Sequence, residues 1–339
     1  MALFSKSIGI DLGTANTLVY MKGRGILLRE PSVVAVEKKS KKVLAVGTEA
    51  RNMLGKAPDT IEVFRPLKDG VIAEFEITAK MLNAFFKRVA GVVFLNRPRV
   101  IICVPYGVTD VEKRAVEDAT LEAGAKSVAL IEEPIAAAIG ANLKVSDAHG
   151  SMIVDIGGGT TEVAVLSLGG IVWSESARVA GDRLDEAIVE FVKKEHGVLI
   201  GESTAELVKR TIGAVHPVVQ TEKMEIRGRN LYTGLPAKVI ISTPDVIEAM
   251  SEPISQIVNA IKRTLEKTPP ELAADIYDSG IWCSGGGAML KGLTTLLYEE
   301  TGIKIYIAKR PHDCVVDGIG AVLDDLESLS GVLSYVKSR

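Results

Sequence analysis

The sequence predicts an α/β protein of two similar halves that face each other across a cleft, each carrying a smaller inserted subdomain. Three observations lead to this fold class. The chain has 339 residues, enough for about two domains of roughly 150 residues each. A strand–turn–strand pattern at 7–21 recurs at 151–170. Each copy is followed by strands and helices in the same order, which indicates an internal duplication.

Composition and charge exclude several classes of protein. Hydrophobic residues make up 47% of the chain and charged residues 24%, so a disordered or low-complexity polypeptide is excluded. The 40 basic and 43 acidic residues nearly balance, at a net charge of −3, which argues against a nucleic-acid partner. Cys103, Cys283 and Cys314 lie far apart in apolar stretches, as reduced core thiols do, and the four histidines form no metal-ligand cluster.

No apolar segment has the length of a signal-peptide core at the N-terminus, or of a membrane-spanning helix elsewhere. The chain is therefore expected to be neither secreted nor transmembrane.

The duplication is visible residue by residue. Shifting the first pattern by 144 positions places Asp11 on Asp155 and Gly13 on Gly157. In both copies an apolar strand ends at an aspartate, a short turn rich in small residues follows, and a second apolar strand returns. Each copy is therefore predicted to be a β-hairpin.

The first half continues with a strand over Val100–Val104. Thr109 and Glu112 have the spacing of a capping box, which predicts a helix that ends at Gly124. Pro134 is at the favoured first position of a second helix.

The domain organisation follows from these patterns. We expect a first domain over 1–144, with an insert at about 30–65, closed by a C-terminal helix at about 315–339. The second domain is expected over 145–314, with an insert at about 180–250.

The turns after the two aspartates have the composition of phosphate-binding loops. Small residues allow several backbone N–H groups to converge on one point, and an adjacent aspartate can hold Mg²⁺ through water. Either loop alone is more often an ordinary hairpin turn. Two loops related by duplication, with a third glycine cluster at Gly285–Gly287, favour a nucleotide held from both sides of a cleft.

Two glutamates have both a structural and a functional interpretation. Glu133 precedes Pro134, so it is expected in extended conformation at the mouth of its helix, where it either favours the helix N-terminus or orients a water molecule. Glu206 and Lys209 lie on a helix predicted to start at Ser203. Ser203 and Glu206 have capping-box spacing, which alone explains Glu206, and nucleotide contact is the alternative.

Four stretches together resemble the motifs of the superfamily of actins, sugar kinases and heat-shock chaperones, and within it the MreB family of bacterial actins. These are the phosphate-1, connect-1, phosphate-2 and adenosine motifs, at 8–17, 131–140, 155–165 and 284–290 respectively. The resemblance spans nearly the whole chain and implies an actin-like fold.

The resemblance also implies roles for particular residues. Backbone groups of Thr14, Ala15 and Asn16 would bind phosphate from one side, and Gly157, Gly158 and Gly159 from the other. Asp11 and Asp155 would lie near Mg²⁺, and Glu133 and Thr160 would serve hydrolysis. The adenosine would be surrounded by Glu206, Lys209, Gly285, Gly286, Gly287, Ala288 and Met289.

By resemblance, the chain is expected to be an ATPase that polymerises into membrane-associated filaments organising cell-wall synthesis and rod shape. GTP stays open as an alternative to ATP. The expected partners are further copies of the chain, a lipid surface at the inner face of the cell membrane and the cell-wall elongation machinery. A chaperone ATPase and a small-molecule kinase of the same superfamily are the alternative functions.

An apolar run at Val92–Leu95, between basic residues, has two interpretations. It is either a loop packed on the core or a membrane anchor in which Phe94 and Leu95 insert into lipid. Hydrophobic residues are unexpected in a connection, and basic neighbours match an anionic surface.

Overall fold

The computed structural model describes residues 7–90 and 97–338. Its strands and helices up to Gly140 are β1 (Ser7–Leu12), β2 (Asn16–Met21), β3 (Gly25–Pro31), β4 (Val34–Glu37), β5 (Val43–Val46), α1 (Thr48–Arg51), β6 (Ile61–Phe64), β7 (Leu67–Lys68), β8 (Val71–Ile72), α2 (Phe75–Ala90), β9 (Arg99–Val104), α3 (Asp110–Glu122), β10 (Ser127–Glu132) and α4 (Glu133–Gly140).

The second part of the chain contains β11 (Ser151–Ile156), β12 (Thr161–Ser167), β13 (Gly170–Ala177), α5 (Gly181–His196), β14 (Val198–Leu199), α6 (Glu202–Ile212), β15 (Lys223–Asn230), β16 (Pro236–Ser242), α7 (Thr243–Lys267), α8 (Pro270–Ser279), β17 (Ile281–Ser284), α9 (Leu293–Thr301), β18 (Ile305–Ile307), α10 (Cys314–Asp324), α11 (Leu326–Leu329) and β19 (Leu333–Ser338). Short 3₁₀ turns lie at Gly286–Met289, Pro311–Asp313 and Ser330–Val332.

Five strands of the first main sheet repeat the order of the second main sheet, which confirms the predicted duplication. One has the order β19-β10-β9-β1-β2-β3, and the other has the order β13-β12-β11-β17-β18. In each, the aspartate-bearing strand pairs antiparallel with the next strand in sequence and parallel with a later one. Two three-stranded sheets, β5-β4-β6 and β14-β15-β16, lie in the segments expected to be inserts.

Helices cover the main sheets on both faces. Residues of β9 alternate: Val100, Ile102 and Val104 join the core under α2 and α3, whereas Ile101 and Cys103 join a core shared with α4 and α10. That shared core also contains Ile153 of β11, so α4 and α10 pack between the two sheets. The outer face of the second sheet is covered by α5 and α7.

Two predicted helix starts are found in the structure. Thr109 and Glu112 form the capping box of α3, with both reciprocal hydrogen bonds present. Pro134 lies in the first turn of α4, one position later than predicted, because the helix begins at Glu133. Within the described ranges 7–90 and 97–338, no helix combines the length and apolar character needed to cross a membrane.

The expected C-terminal helix over about 315–339 is wrong in extent. The helix α10 ends at Asp324, because the backbone of the next residue, Asp325, is not helical. After α11 the chain returns as β19, which pairs antiparallel with β10. This pairing covers what would otherwise be the exposed edge of β10, and edge strands are commonly protected in such ways.

Candidate functional site

A cavity of about 650 Å³ lies between the two halves, at the carboxyl ends of β1 and β11. Its volume is within the range of small-molecule sites. The predicted nucleotide-binding, metal-binding and catalytic residues that line it are Asp11, Thr14, Ala15, Asn16, Glu133, Asp155, Gly157, Gly158, Gly159, Thr160, Glu206, Lys209, Gly285, Gly286, Gly287 and Met289. Ala288 is not at the cavity wall, because its side chain is fully buried in the core of the second half.

The first loop, between β1 and β2, is fixed by hydrogen bonds from residues outside the loop. Ser32 donates a hydrogen bond from Oγ to the carbonyl of Gly13 at 2.6 Å, and Thr17 shares a further bond with Ser32. The Thr14 hydroxyl accepts a hydrogen bond from the N–H of Gly70 at 3.0 Å. These bonds fix the loop without using the backbone N–H groups of Thr14 or Ala15.

The second loop, between β11 and β12, touches the first across the cleft. The N–H of Gly157 donates to the carbonyl of Thr160 at 2.9 Å and closes the turn. A Cβ atom on Gly158 would lie 2.5 Å from the Cβ of Ala15, and one on Gly159 would lie 2.7 Å from Oγ1 of Thr14. Side chains at these positions would therefore force the two loops apart.

A third wall comes from Gly285–Gly287, which follows β17. Gly285 has a φ of +78°, and its missing Cβ would lie 2.2 Å from the carbonyl oxygen of Ile156. Only glycine combines this backbone conformation with so close an approach. The glycine cluster therefore packs directly under the second loop.

Three carboxyl groups at the floor of the cavity have raised pKa values. Burial, reinforced by Asp155, raises the pKa of Asp11 to about 7. Burial raises the pKa of Asp155 to about 6, although a hydrogen bond from Ser284 acts in the opposite direction. Burial, and then the charges of Asp155 and Asp11, raise the pKa of Glu133 well above its usual range. The floor therefore favours binding of a cation, which would offset this accumulation of negative charge.

The raised pKa of Asp11 predicts a pH dependence of stability in the ligand-free protein. Between about pH 4 and about pH 7 the folded protein keeps a proton on the Asp11 carboxyl group that the unfolded chain has lost, so the contribution of this group to the free energy of unfolding falls as pH rises. Asp11→Asn should make the free energy of unfolding fall less steeply with pH. Thermal unfolding in EDTA from about pH 5 to about pH 8 measures this dependence. Asp278→Asn, at an exposed carboxylate, is the control, and equal slopes in Asp11→Asn and the parent would contradict the prediction.

Glu133 differs in detail from its predicted position. It is the first residue of α4, and the extended residue before the helix is Glu132. Glu133 still lies at the helix mouth and lines the cavity.

Lys209 and Glu206 both lie on α6, but each is held by the protein. Lys209 donates from Nζ to the carbonyl of Gly181 at 2.6 Å and to Asp185 at 2.9 Å. Glu206 forms an ion pair with Arg51 of the first insert. The predicted capping box of Ser203 and Glu206 is wrong. The helix α6 begins at Glu202, and its N-cap residue is Gly201, which has no side chain to cap the helix. Ser203 therefore lies inside the first turn, and Glu206 pairs with arginines.

Sequence reasoning missed the contacts that join the two halves over the cavity. Besides the pair of Arg51 with Glu206, Arg65 pairs with Asp182 at 2.6 Å. Both arginines come from the first insert segment and line the cavity. Such pairs join residues more than a hundred positions apart, and no local pattern signals them. Phe94 and Leu95, the predicted membrane residues, lie outside the described residues.

The two duplicated sheets, with a polar cleft between them closed by facing glycine loops, define an actin-like protein. The model of the MreB/Mbl protein family matches residues 5–331. The chain belongs to the MreB/Mbl family.

The chain also matches individual relatives over nearly the full length of both sequences. The chain is 51% identical to the cell shape-determining protein MreB of Escherichia coli K12, over 98% of this chain and 97% of that protein. It is 48% identical to the cell shape-determining protein Mbl of Bacillus subtilis 168, over 96% and 98%. Crystal structures of MreB5 of Spiroplasma citri, described as bound to ADP and to AMPPNP, match with a TM-score of 0.91 at 35% identity, over 96% and 98%.

Proposed function

We propose that the chain is a bacterial actin homologue that binds and hydrolyses ATP and polymerises into membrane-associated filaments that organise cell-wall synthesis and rod shape. The observation that carries this proposal is the meeting of two duplicated glycine loops over one cavity whose floor holds Asp11, Asp155 and Glu133. The names of the relatives, cell shape-determining proteins, support the cellular role.

The loops suit a chain of phosphates. Thr14, Ala15 and Asn16 would offer backbone N–H groups from one side and Gly157–Gly159 from the other, as in other backbone anion sites. Glu206, Lys209 and the segment Gly285–Met289 would surround the nucleoside. The MreB5 structures described as bound to ADP and AMPPNP support an adenine nucleotide, and competition between ATP and GTP measures the preference.

The residues present fit Mg²⁺ that arrives with the nucleotide. Asp11 and Asp155 are hard oxygen donors with raised pKa values, at the cavity floor. Across 7–90 and 97–338, no group of three or more His, Cys, Asp or Glu side chains is arranged to hold a metal. This suits Mg²⁺, which is commonly bound by one or two carboxylates together with phosphates and water. When bound, the ion would neutralise charge on the phosphates.

Glu133 is the proposed group that orients the attacking water. It lines the cavity beside both aspartates, and its raised pKa brings it closer to the range in which a carboxylate accepts a proton efficiently. Thr160, almost fully buried at the end of the second loop, would help to hold that water.

Head-to-tail stacking is the proposed mode of assembly. We propose domains at 1–144, closed by the C-terminal segment, and at 145–314, with the inserts at 30–65 and 180–250. Because β3 runs toward the cleft end of its sheet and leads into the first insert, the inserts would lie at the opposite end from the base of the cores. A heterologous contact of inserts on a base leaves one free surface at each end and propagates.

Sedimentation at micromolar concentration tests assembly. We expect the protein to pellet with ATP and Mg²⁺ and to remain in the supernatant without nucleotide. A chain that stays monomeric with ATP and with lipid would overturn the filament proposal. Phosphate release measured with and without a panel of sugars separates the ATPase from the kinase alternative, which predicts sugar-dependent turnover.

Membrane attachment is proposed from the sequence and the family resemblance. Burial of Phe94 and Leu95 in lipid would contribute at most about 1.5–3 kcal/mol each, so stable attachment would need the repeated contacts of a filament. We expect Phe94→Ser/Leu95→Ser to lose co-sedimentation with anionic liposomes while still forming filaments. Parental binding by this folded double variant would place the anchor elsewhere.

A further inference from the structure

Each cleft aspartate accepts a hydrogen bond from a side chain on the neighbouring parallel strand. In the first half, β1 and β9 are paired as far as Ile10 and Ile102. One position further along, the thiol of Cys103 donates to Oδ1 of Asp11, with the sulfur 3.5 Å from the oxygen. The donor is a buried thiol that also lines the cavity.

The second half repeats this arrangement with different chemistry. Asp155 of β11 is in register with Ser284 of the parallel strand β17. The Ser284 hydroxyl donates to Oδ1 of Asp155 at 2.5 Å, and its side chain is fully buried. Cys103 and Ser284 therefore occupy equivalent places in the two duplicated sheets.

We propose that Cys103 and Ser284 are positioning residues that hold Asp11 and Asp155 in the orientation needed to receive the cation accompanying the nucleotide. This inference rests on the proposed metal role of the aspartates. In each aspartate the donor engages Oδ1, and Oδ2 has no hydrogen-bond partner in the part of the chain that the structure describes. Because both aspartates line the cavity, the unengaged oxygen is the one available to a hydrated cation. Outer-shell donors of this kind commonly orient metal-binding carboxylates.

The two donors differ in hydrogen-bond strength, so substitutions at the two positions should have effects of different size. A hydroxyl is a stronger hydrogen-bond donor than a thiol, and Asp155 has the hydroxyl donor whereas Asp11 has the thiol. Asp155 is therefore the more firmly held carboxylate. Removal of Ser284 Oγ should disturb cation binding more than removal of Cys103 Sγ, and a hydroxyl at position 103 should hold Asp11 at least as well as the native thiol.

The test is a Mg²⁺ titration of the binding of a fluorescent ATP analogue at fixed pH. We expect Ser284→Ala to raise the Mg²⁺ concentration for half-maximal binding by about tenfold, the lower end of the effect of losing an outer-shell partner. Ser284→Cys should restore part of this loss. Cys103→Ala should raise the concentration by less than Ser284→Ala, and Cys103→Ser should not raise it. Thermal unfolding confirms that each variant is folded, and the conservative exchanges keep the test informative if an alanine variant is unstable.

Two further variants, Cys283→Ala and Asp155→Asn, distinguish a packing effect and a failure of the metal role from a failure of the positioning role. Cys283→Ala truncates a buried thiol in the apolar core one residue before Ser284, and it should leave the Mg²⁺ requirement unchanged. A shift as large as that of Ser284→Ala would overturn the inference and indicate a general packing effect. An unchanged requirement in Asp155→Asn overturns the metal role and the inference with it. If Asp155→Asn changes the requirement while folded Ser284→Ala and Cys103→Ala match the parent, the inference alone is overturned.

Discussion

Glu133→Gln is expected to slow ATP hydrolysis by about 10²–10⁴-fold while leaving nucleotide binding intact. The amide has nearly the same shape as the carboxylate but cannot accept a proton from the attacking water. Nucleotide affinity should persist because the two glycine loops that meet over the cavity do not involve this side chain.

Single-turnover phosphate release and equilibrium binding of a fluorescent ATP analogue measure the two effects separately. The matched control is Glu132→Gln, which neutralises the adjacent carboxyl group. Glu132 also has a pKa raised by burial, but it does not line the cavity. We expect Glu132→Gln to hydrolyse ATP at close to the parental rate. Parental phosphate release in Glu133→Gln would show that another group positions the water.

Local and repeated features of this protein are predictable from its sequence. The duplication of Asp11 onto Asp155 is confirmed by the shared strand order of the two sheets. The capping box at Thr109 is confirmed because it depends on residues three positions apart. A capping box or a repeated strand pattern depends on residues that are close in sequence or repeated along it. Such features can therefore be predicted without knowledge of the tertiary structure.

The features that sequence reasoning missed depend on contacts between distant segments. Ser203 and Glu206 have capping spacing, but α6 begins before Ser203, with Gly201 as its N-cap, and Glu206 pairs with Arg51 of the first insert. The strand β19 was expected to be helical, and its pairing with β10 spans about two hundred residues. The hydrogen bonds from Cys103 and Ser284 to the aspartates likewise depend on the pairing of parallel strands, which no local pattern signals.

Gly158→Ala is the second substitution for which we expect a large effect, because it adds one methyl group where the two loops meet. The new Cβ would lie 2.5 Å from Cβ of Ala15 and 3.1 Å from its backbone nitrogen, too close for either loop to keep its position. Gly158 does not have a positive φ, so alanine brings no backbone strain of its own and the effect is steric. The loops must separate by a substantial part of an ångström, which moves the backbone N–H groups away from the phosphates that they are proposed to share.

A displacement of about 1 Å in a positioned group can lower turnover by about 10²-fold, and we expect a loss of this order in kcat/KM for ATP, together with weaker nucleotide binding. Gly170→Ala provides the matched control, since a Cβ at Gly170 has no neighbour within 4 Å. Both variants should unfold near the parental temperature, because the loop contact lies at the cavity and outside the apolar cores. The decisive comparison is therefore kinetic: if Gly158→Ala turns over ATP as Gly170→Ala does, the two loops do not act together on one nucleotide, and the central observation behind the proposed function loses its support.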